Sequence, residues 1–398
     1  MIEPDTRIAI IGAGVGGLTL ALALRERGID AEIFERTTEL REVGAAVYLA
    51  ANASRFIERW GLGQQFADVS WEPSALIYRD GRDGHVIARH VETESSAFGA
   101  PGYGIHRADL QQILADAVGR DRIHLGKEIT SYTQEDGAVT IQFADSTSTE
   151  ADLVVGADGA RSIVRELMVG HDDKIYTGRS GFRGLVAVKD LPSLPDPTTI
   201  QFWIGPDGHL LHYPIGGDGD VINFLLVKRL PWDSDEWTVA AEPGEHLDHF
   251  EGWHPAVIEM ISAPTFDRRW ALNRRPPLST WHDGRVVLLG DAAHALVPHH
   301  GQGANITVED AVVLARCLSE ADPDGIDDAI ASYQDQRLER TARVQKASYV
   351  TADVLHLPDG DEATARNAQL ASTEWMHGQL DWIHSYNADP NFDKVALA

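Results

Sequence analysis

The stretch that most constrains the fold is GAGVGG, residues 12–17. It follows an apolar run at residues 7–12 and opens a helical pattern at residues 18–27, which Gly28 stops. A second strand-like run, AEIFER, comes next at residues 31–36. The glycines answer different steric demands. Gly12 permits the tight turn, Gly14 lets a pyrophosphate approach the backbone, and Gly17 lets helix and strand pack closely. The helix N-terminus then faces the phosphates with free N–H groups. Glu35, at the end of the second strand, is placed to accept hydrogen bonds from a ribose diol, and Arg36 beside it joins the set of cofactor contacts. Strand, glycine turn, helix and strand make a βαβ unit for a dinucleotide, and this fingerprint does not separate FAD from NAD.

With 398 residues the chain exceeds one ordinary core, so two lobes sharing discontinuous segments are expected. A formal charge of -27 repels phosphate backbones and anionic membranes, which argues against nucleic-acid and membrane partners. The lone cysteine, Cys317, leaves no intramolecular disulfide and no cysteine-rich metal site, and a reducing cytoplasm fits. The apolar run at residues 8–24 has glycines at turn spacing and no cleavage site after it, so it reads as a buried strand entering a helix.

Residues 52–61, NASRFIERWG, predict a capped helix with Phe56, Ile57 and Trp60 on one face. Residues 75–90 predict a hairpin around DGRDG, and residues 106–118 a helix. Residues 177–229 are rich in strand patterns separated by turns such as GPDG and GGDGD. Helices follow at residues 306–318 and 326–350. In the tail, Trp375, Leu380, Trp382, Ile383 and Tyr386 are spaced to pack on the body or on a second subunit, as in a homodimer.

Two further glycine turns repeat the logic of the first. GADGARS, residues 156–162, places Asp158 at a strand end, and GDAAH, residues 290–294, does the same with Asp291. Beyond it, VPHHGQGAN ends in another helix N-terminus, suited to a polarised carbonyl or an anionic ring. The three histidines His294, His299 and His300 have no cysteine nearby and sit in a loop built for close backbone approach. They read as part of a clamp for a flat cofactor rather than as a zinc site. His299 is within reach of a substrate, and His294 is expected to be structural, bonded to nearby backbone.

These three motifs, in this order, resemble the single-component FAD-dependent aromatic hydroxylases, the class A flavoprotein monooxygenases. The likeness runs from Ile8 to about Gln345, and GPDGHLLHYPI at residues 205–215 narrows it toward the salicylate, 3-hydroxybenzoate and 6-hydroxynicotinate hydroxylases. It implies an α/β fold: a Rossmann-like FAD-binding domain (residues 1–75, 99–176 and 280–350), an inserted mainly-β substrate domain (76–98 and 177–279) and a helical C-terminal region (351–398). It implies that Asp291 bonds the ribityl chain of FAD and that Asp158 lies near the cofactor and influences NADH or NADPH binding. By the same resemblance Arg107 contacts FAD, and Pro298, Gly303, Ala304 and Asn305 run along the flavin. One departure is GAAV at residues 44–47, where many relatives carry Gly-Ala-Gly.

The implied reaction uses NADH or NADPH and O2 to hydroxylate a small aromatic substrate through a flavin C4a-hydroperoxide. A phenol reacts faster as it approaches phenolate, so a base or acceptor near its hydroxyl is needed. His209 leads, with Tyr213 and His299 as alternates; the family places a histidine and a tyrosine in the pocket at the first two positions. His212, in the opposite strand phase, should point away. Arg183 is either a fork for a substrate carboxylate or a salt-bridge partner. Tyr103 and Trp203 are expected in the core. Loss of carbon dioxide or of a proton would follow, according to what the attacked carbon carries. The competing readings are an NAD-dependent dehydrogenase, a flavin-binding protein without turnover, and a monooxygenase of a larger natural product.

Overall fold

The structure is a computed structural model that describes residues 1–3, 5–40, 46–171, 173–266 and 268–391. Its first sheet has six strands in the order His282–Asp283, Val286–Leu288, Leu153–Gly156, Ile8–Ile11, Glu32–Glu35 and Ile123–Leu125. All pairs are parallel except the outermost, His282–Asp283 on Val286–Leu288. Parallel strands are covered on both faces and so read as continuous apolar runs; Ile8–Ile11 and Leu153–Gly156 are buried at every position. The helix Val15–Arg25 is buried from Gly16 to Leu24. That explains why its sequence shows no polar face.

The second sheet has eight strands, running Thr238–Ala240, Arg268–Arg274, Ile175–Ala187, Val221–Arg229, Gly208–Ile215, Ile200–Gly205, Leu76–Asp80 and Val86–His90. The hairpin at residues 75–90 joins it by a parallel pairing of Leu76–Asp80 with Ile200–Gly205. On one face Phe182, Trp203, Leu210 and Phe224 pack against the helix Pro255–Ser262. Trp203 is fully buried and Tyr103 nearly so, its hydroxyl donating to Glu58. Both are core residues, as expected.

Three features depart from the sequence-based expectations. The helix Ala51–Arg59 has no side-chain cap; Asn52 lies inside it, buried, and donates to Gln302 and Glu309 at 3.0 and 2.7 Å. A three-stranded antiparallel meander, Ile129–Glu135, Ala138–Phe143 and Ser148–Ala151, adds elements that the periodicity had not marked. The helix starting at Ile326 continues to Leu355. Two shorter helices, Asp361–Leu370 and Thr373–His384, then fold the tail back onto the body: Arg340 donates to the carbonyls of Trp382 and Ile383 at 3.0 and 3.1 Å. The side chain of Trp375, and Gly44 and Ala45 of GAAV, lie outside the described residues. Among the described residues no helix is long and apolar enough to cross a membrane.

Candidate active site

Three strands of the first sheet end side by side, and each delivers a turn. At the first, Gly12 has φ 110° and a Cβ there would stand 2.6 Å from the carbonyl oxygen of Ala157. A Cβ on Gly17 would stand 1.9 Å from the carbonyl oxygen of Gly12. Gly14 caps the helix Val15–Arg25 and faces a cavity. Glu35 accepts from the N–H groups of Ala13 and Thr37, each at 2.9 Å, so its carboxylate is held beside the glycine turn; Arg36 is exposed next to it.

At the second turn Asp158 is held by the segment that follows it. Its carboxylate accepts from Ser162 Oγ at 2.5 Å and from the N–H groups of Ile163 and Val164 at 2.8 and 3.1 Å. It supplements the N-cap Ser162, whose Oγ accepts from Arg165 N, in satisfying the first N–H groups of the helix Ile163–Val169, and its neighbours Ala157, Gly159 and Ala160 line the cavity.

At the third turn Gly290 has φ 64° and ψ -138°, a conformation suited only to glycine. It presents Asp291 to the cavity. Burial pushes the Asp291 carboxyl up, against the pull of His294 and Arg107. Beneath this turn lies a buried ionic network. Asp310 accepts from Gly290 N at 3.1 Å, His294 Nε2 at 2.5 Å and Arg337 Nε at 2.7 Å. Arg337 also donates to Glu309 at 2.8 Å, and Arg340 binds Glu309 through two nitrogens at 2.7 Å. His294 is thus structural, but its partner is a carboxylate rather than the backbone.

The helix Gly303–Glu320 begins beyond the loop. Pro298, Gly303 and Ala304 line the cavity, as does Arg107 across from them. Asn305 does not: its side chain accepts from Ala50 N at 2.8 Å and donates to the carbonyls of Tyr48 and Gly301 at 3.0 and 2.8 Å. It braces the loop against the strand Ala46–Leu49. The three histidines of the loop diverge. His294 goes to Asp310, His300 faces the cavity with its imidazole pushed down to about 4 by burial and His384, and His299 meets His209.

The cavity has a volume of about 990 Å³ and runs from the glycine turns to the second sheet. Arg183, Phe202, Leu211, Tyr213 and Leu225 belong to its sheet side, and His299 to its loop side. Arg183 lies deep in the protein, yet its guanidinium is open to solvent through the cavity; burial and Arg107 lower it to about 10, so it stays charged at neutral pH. Its described contact is the ring of Trp270, 5.6 Å away, and among the described residues no carboxylate pairs with it. Burial raises the Tyr213 phenol, opposed by Arg107 and Arg183.

His209 shares a strand face with Tyr213 but does not line the cavity. Its Nδ1 lies 2.6 Å from His356 Nε2, and its ring meets that of His299 edge-on at 5.4 Å. Burial, helped by Arg179, drives its imidazole down to about 3. His209 is therefore one ring removed from the cavity, and of the two rings that of His299 lines it. His212, buried with neither ring nitrogen paired, points to the opposite face, as its strand phase predicts. Sequence reasoning missed His356 and the tail residues Leu370 and His384 that wall the cavity, and it gave Leu380, which walls it too, a packing role alone. His384 is tied to Glu94 at 2.7 Å and to Gln302 at 3.2 Å. No local pattern marks such contacts.

Comparison with known proteins agrees with this geometry. A family model described as an FAD binding domain matches residues 5–348. The 3-amino-4-hydroxybenzoate 2-monooxygenase of Streptomyces cremeus is 37% identical, covering 95% of this chain and 96% of its own. Salicylate hydroxylase of Pseudomonas putida is 34% identical, over 96% of this chain and 93% of its own. The crystal structure of Klebsiella pneumoniae HpxO complexed with FAD and uric acid superposes with a TM-score of 0.83 at 28% identity, covering 96% of this chain and 97% of that one. The chain belongs to the FAD-binding-domain family and, within it, to the class A flavoprotein hydroxylases.

Proposed function

We propose that the protein is a monooxygenase that hydroxylates a phenolic or otherwise hydroxylated aromatic acid, with NADH or NADPH and O2 as co-substrates. The observation that carries this reading is the composition of one cavity: a glycine-built cradle at one end, and a guanidinium, a phenol and an imidazole, Arg183, Tyr213 and His299, at the other. The cradle suits FAD, since Gly12, Gly17 and Gly290 stand where any Cβ would collide and Asp291 offers a carboxylate to hydroxyl donors. FAD, once reduced, supplies the activation of O2 and delivery of one oxygen atom to the ring.

The chain's own residues do the rest. Arg183 receives the substrate carboxylate, because an open, permanently charged fork deep in the protein calls for an anion. Tyr213 and His299 meet the ring hydroxyl. Phe202 and Leu211 on the sheet, with Leu380 from the tail, keep water from the reacting ring. Glu35 and Arg36 serve the ribose end of the cofactor, and Arg107, Asp291, Pro298, Gly303 and Ala304 the flavin end.

The test is NADH and NADPH oxidation in air by FAD-loaded protein, with and without 3-amino-4-hydroxybenzoate, salicylate, 3-hydroxybenzoate or 6-hydroxynicotinate, with hydrogen peroxide followed in parallel. Strong stimulation by one acid with little peroxide is expected. Stimulation by none of them, or oxidation that ends entirely in peroxide, would overturn the assignment.

A further inference from the structure

A line of paired side chains leads from the surface to the cavity. Exposed Asp353, on the helix Ile326–Leu355, binds Arg179 Nη2 at 2.5 Å. Arg179 Nε donates to His356 Nδ1 at 3.2 Å, and His356 Nε2 lies 2.6 Å from His209 Nδ1. The next two nitrogens, His209 Nε2 and His299 Nδ1, are both buried and both without a hydrogen-bond partner, although the two rings are in edge contact. Of the three imidazoles only that of His299 reaches the cavity.

Arg179 sets the direction of this line. A guanidinium donates and never accepts, so His356 Nδ1 is an acceptor and the imidazole hydrogen sits on Nε2. That hydrogen makes His209 Nδ1 an acceptor and places the hydrogen of His209 on its own Nε2. The matching orphan is His299 Nδ1, which accepts directly after a small ring rotation or through one water. The hydrogen of His299 is then on Nε2. Burial favours the neutral form of all three rings, and the charges that face them, Arg179 and Arg229 with His300 beside His299, push the same way.

We propose that Arg179, His356, His209 and His299 form a one-way hydrogen-bond chain that fixes His299 as an Nε2–H donor to the cavity and so selects the phenolate form of a hydroxylated ring. The proposal rests on the reading of the cavity as a site for such a ring. Binding a phenol then releases one proton to bulk solvent and leaves the oxygen's charge facing an N–H. The opposite polarity, with His299 taking the phenol proton, would set a His356 N–H against the N–H of Arg179. His356 and Arg179 are positioning residues; His299 is the group that touches substrate.

The probe is 4-hydroxy-3-nitrobenzoate, whose phenol changes its visible absorbance on ionising. Difference spectra against FAD-loaded protein, recorded over pH, give the ionisation midpoint of the bound probe. In the wild type the midpoint should fall at least one pH unit below that of free probe. His356→Leu and Arg179→Met should each raise it by about one pH unit while FAD content is kept. His356→Gln, whose amide oxygen accepts from Arg179 and whose N–H donates to His209, should restore it. The two disruptive variants act from different elements, so poor folding of one leaves the other as the test. An unshifted wild-type midpoint, no binding of the phenolate, a wild-type midpoint in either disruptive variant, or a His356→Gln no better than His356→Leu each overturns the chain. Acid-stimulated turnover is scored separately. Turnover without the midpoint shifts removes the chain and keeps the hydroxylase, and the reverse result removes the hydroxylase and keeps the chain.

Discussion

Gly17→Ala is the sharpest test of the cradle. The added methyl would lie 1.9 Å from the carbonyl oxygen of Gly12 and 3.1 Å from Ile10 Cγ2. The first obstacle is backbone, so no rotamer change relieves it. The start of the helix Val15–Arg25 must recede by about 1 Å to reach a tolerable contact in a close-packed interior. Overpacking of this kind costs about 1–3 kcal/mol, and it moves the same N–H groups that face the pyrophosphate. If about 1.4 kcal/mol of that falls on binding, the Kd for FAD rises tenfold. The assay is FAD titration of apoprotein by flavin fluorescence quenching, beside a urea unfolding curve. Gly28→Ala is the control: it also strains a backbone at φ 74°, yet a Cβ there meets nothing within 4 Å, so it should lower stability and leave the Kd unchanged. A Gly17→Ala protein with wild-type FAD affinity would refute the steric reasoning.

Three other outcomes follow from the geometry. Arg183→Met should raise KM for the carboxylate substrate by about 10- to 100-fold, the worth of a charged hydrogen bond of about 1.5–3 kcal/mol, with FAD affinity intact; loss of flavin instead would put Arg183 on the wrong wall. Arg337→Met strips one partner from each of two buried carboxylates, Asp310 and Glu309, and should cost about 3–5 kcal/mol in urea unfolding; a loss under about 1 kcal/mol would show the network to be dispensable. His212 has its folded value pushed down to about 3 by burial and Arg79. The unfolded chain therefore takes up a proton that the folded chain refuses, and stability falls as pH drops from about 6.5 toward that value, by about 1.4 kcal/mol per unit. His212→Phe should flatten this limb between pH 6.5 and 4.5, and an unchanged slope would contradict the neutral assignment.

The cradle was legible because its signals are local and steric. Gly12, Gly14 and Gly17 answer to offsets within one turn, and Gly290 to a single φ, ψ pair. Strand phase likewise separated His212 from His209 and Tyr213. The use of a polar side chain was harder to read. A strand-end aspartate can serve a ligand or the first N–H groups of the next helix, and Asp158 binds those N–H groups while Asp291 faces the cavity. Asn305 and Asn52 look like a loop ligand and a helix cap, yet both are spent on partners some 250 residues away. His209 had the right face, but what covers it comes from His299 and from His356, 147 residues further along. Such pairings are made by tertiary packing, and no periodicity in one chain encodes them.

The tail's place in the cavity wall bears on how the protein comes to maturity. Every residue assigned to the flavin lies between Gly12 and Ala304, whereas Leu370, Leu380 and His384 leave the ribosome after all of them. The glycine turns and Asp291 form one end of the cavity without these tail residues, and the chamber is open on one side until they dock. Reducing equivalents reaching it at that stage would meet oxygen and water together and be wasted as peroxide. Arg340 and Glu94, which hold the helix Thr373–His384 in place, thereby hold that side of the chamber shut.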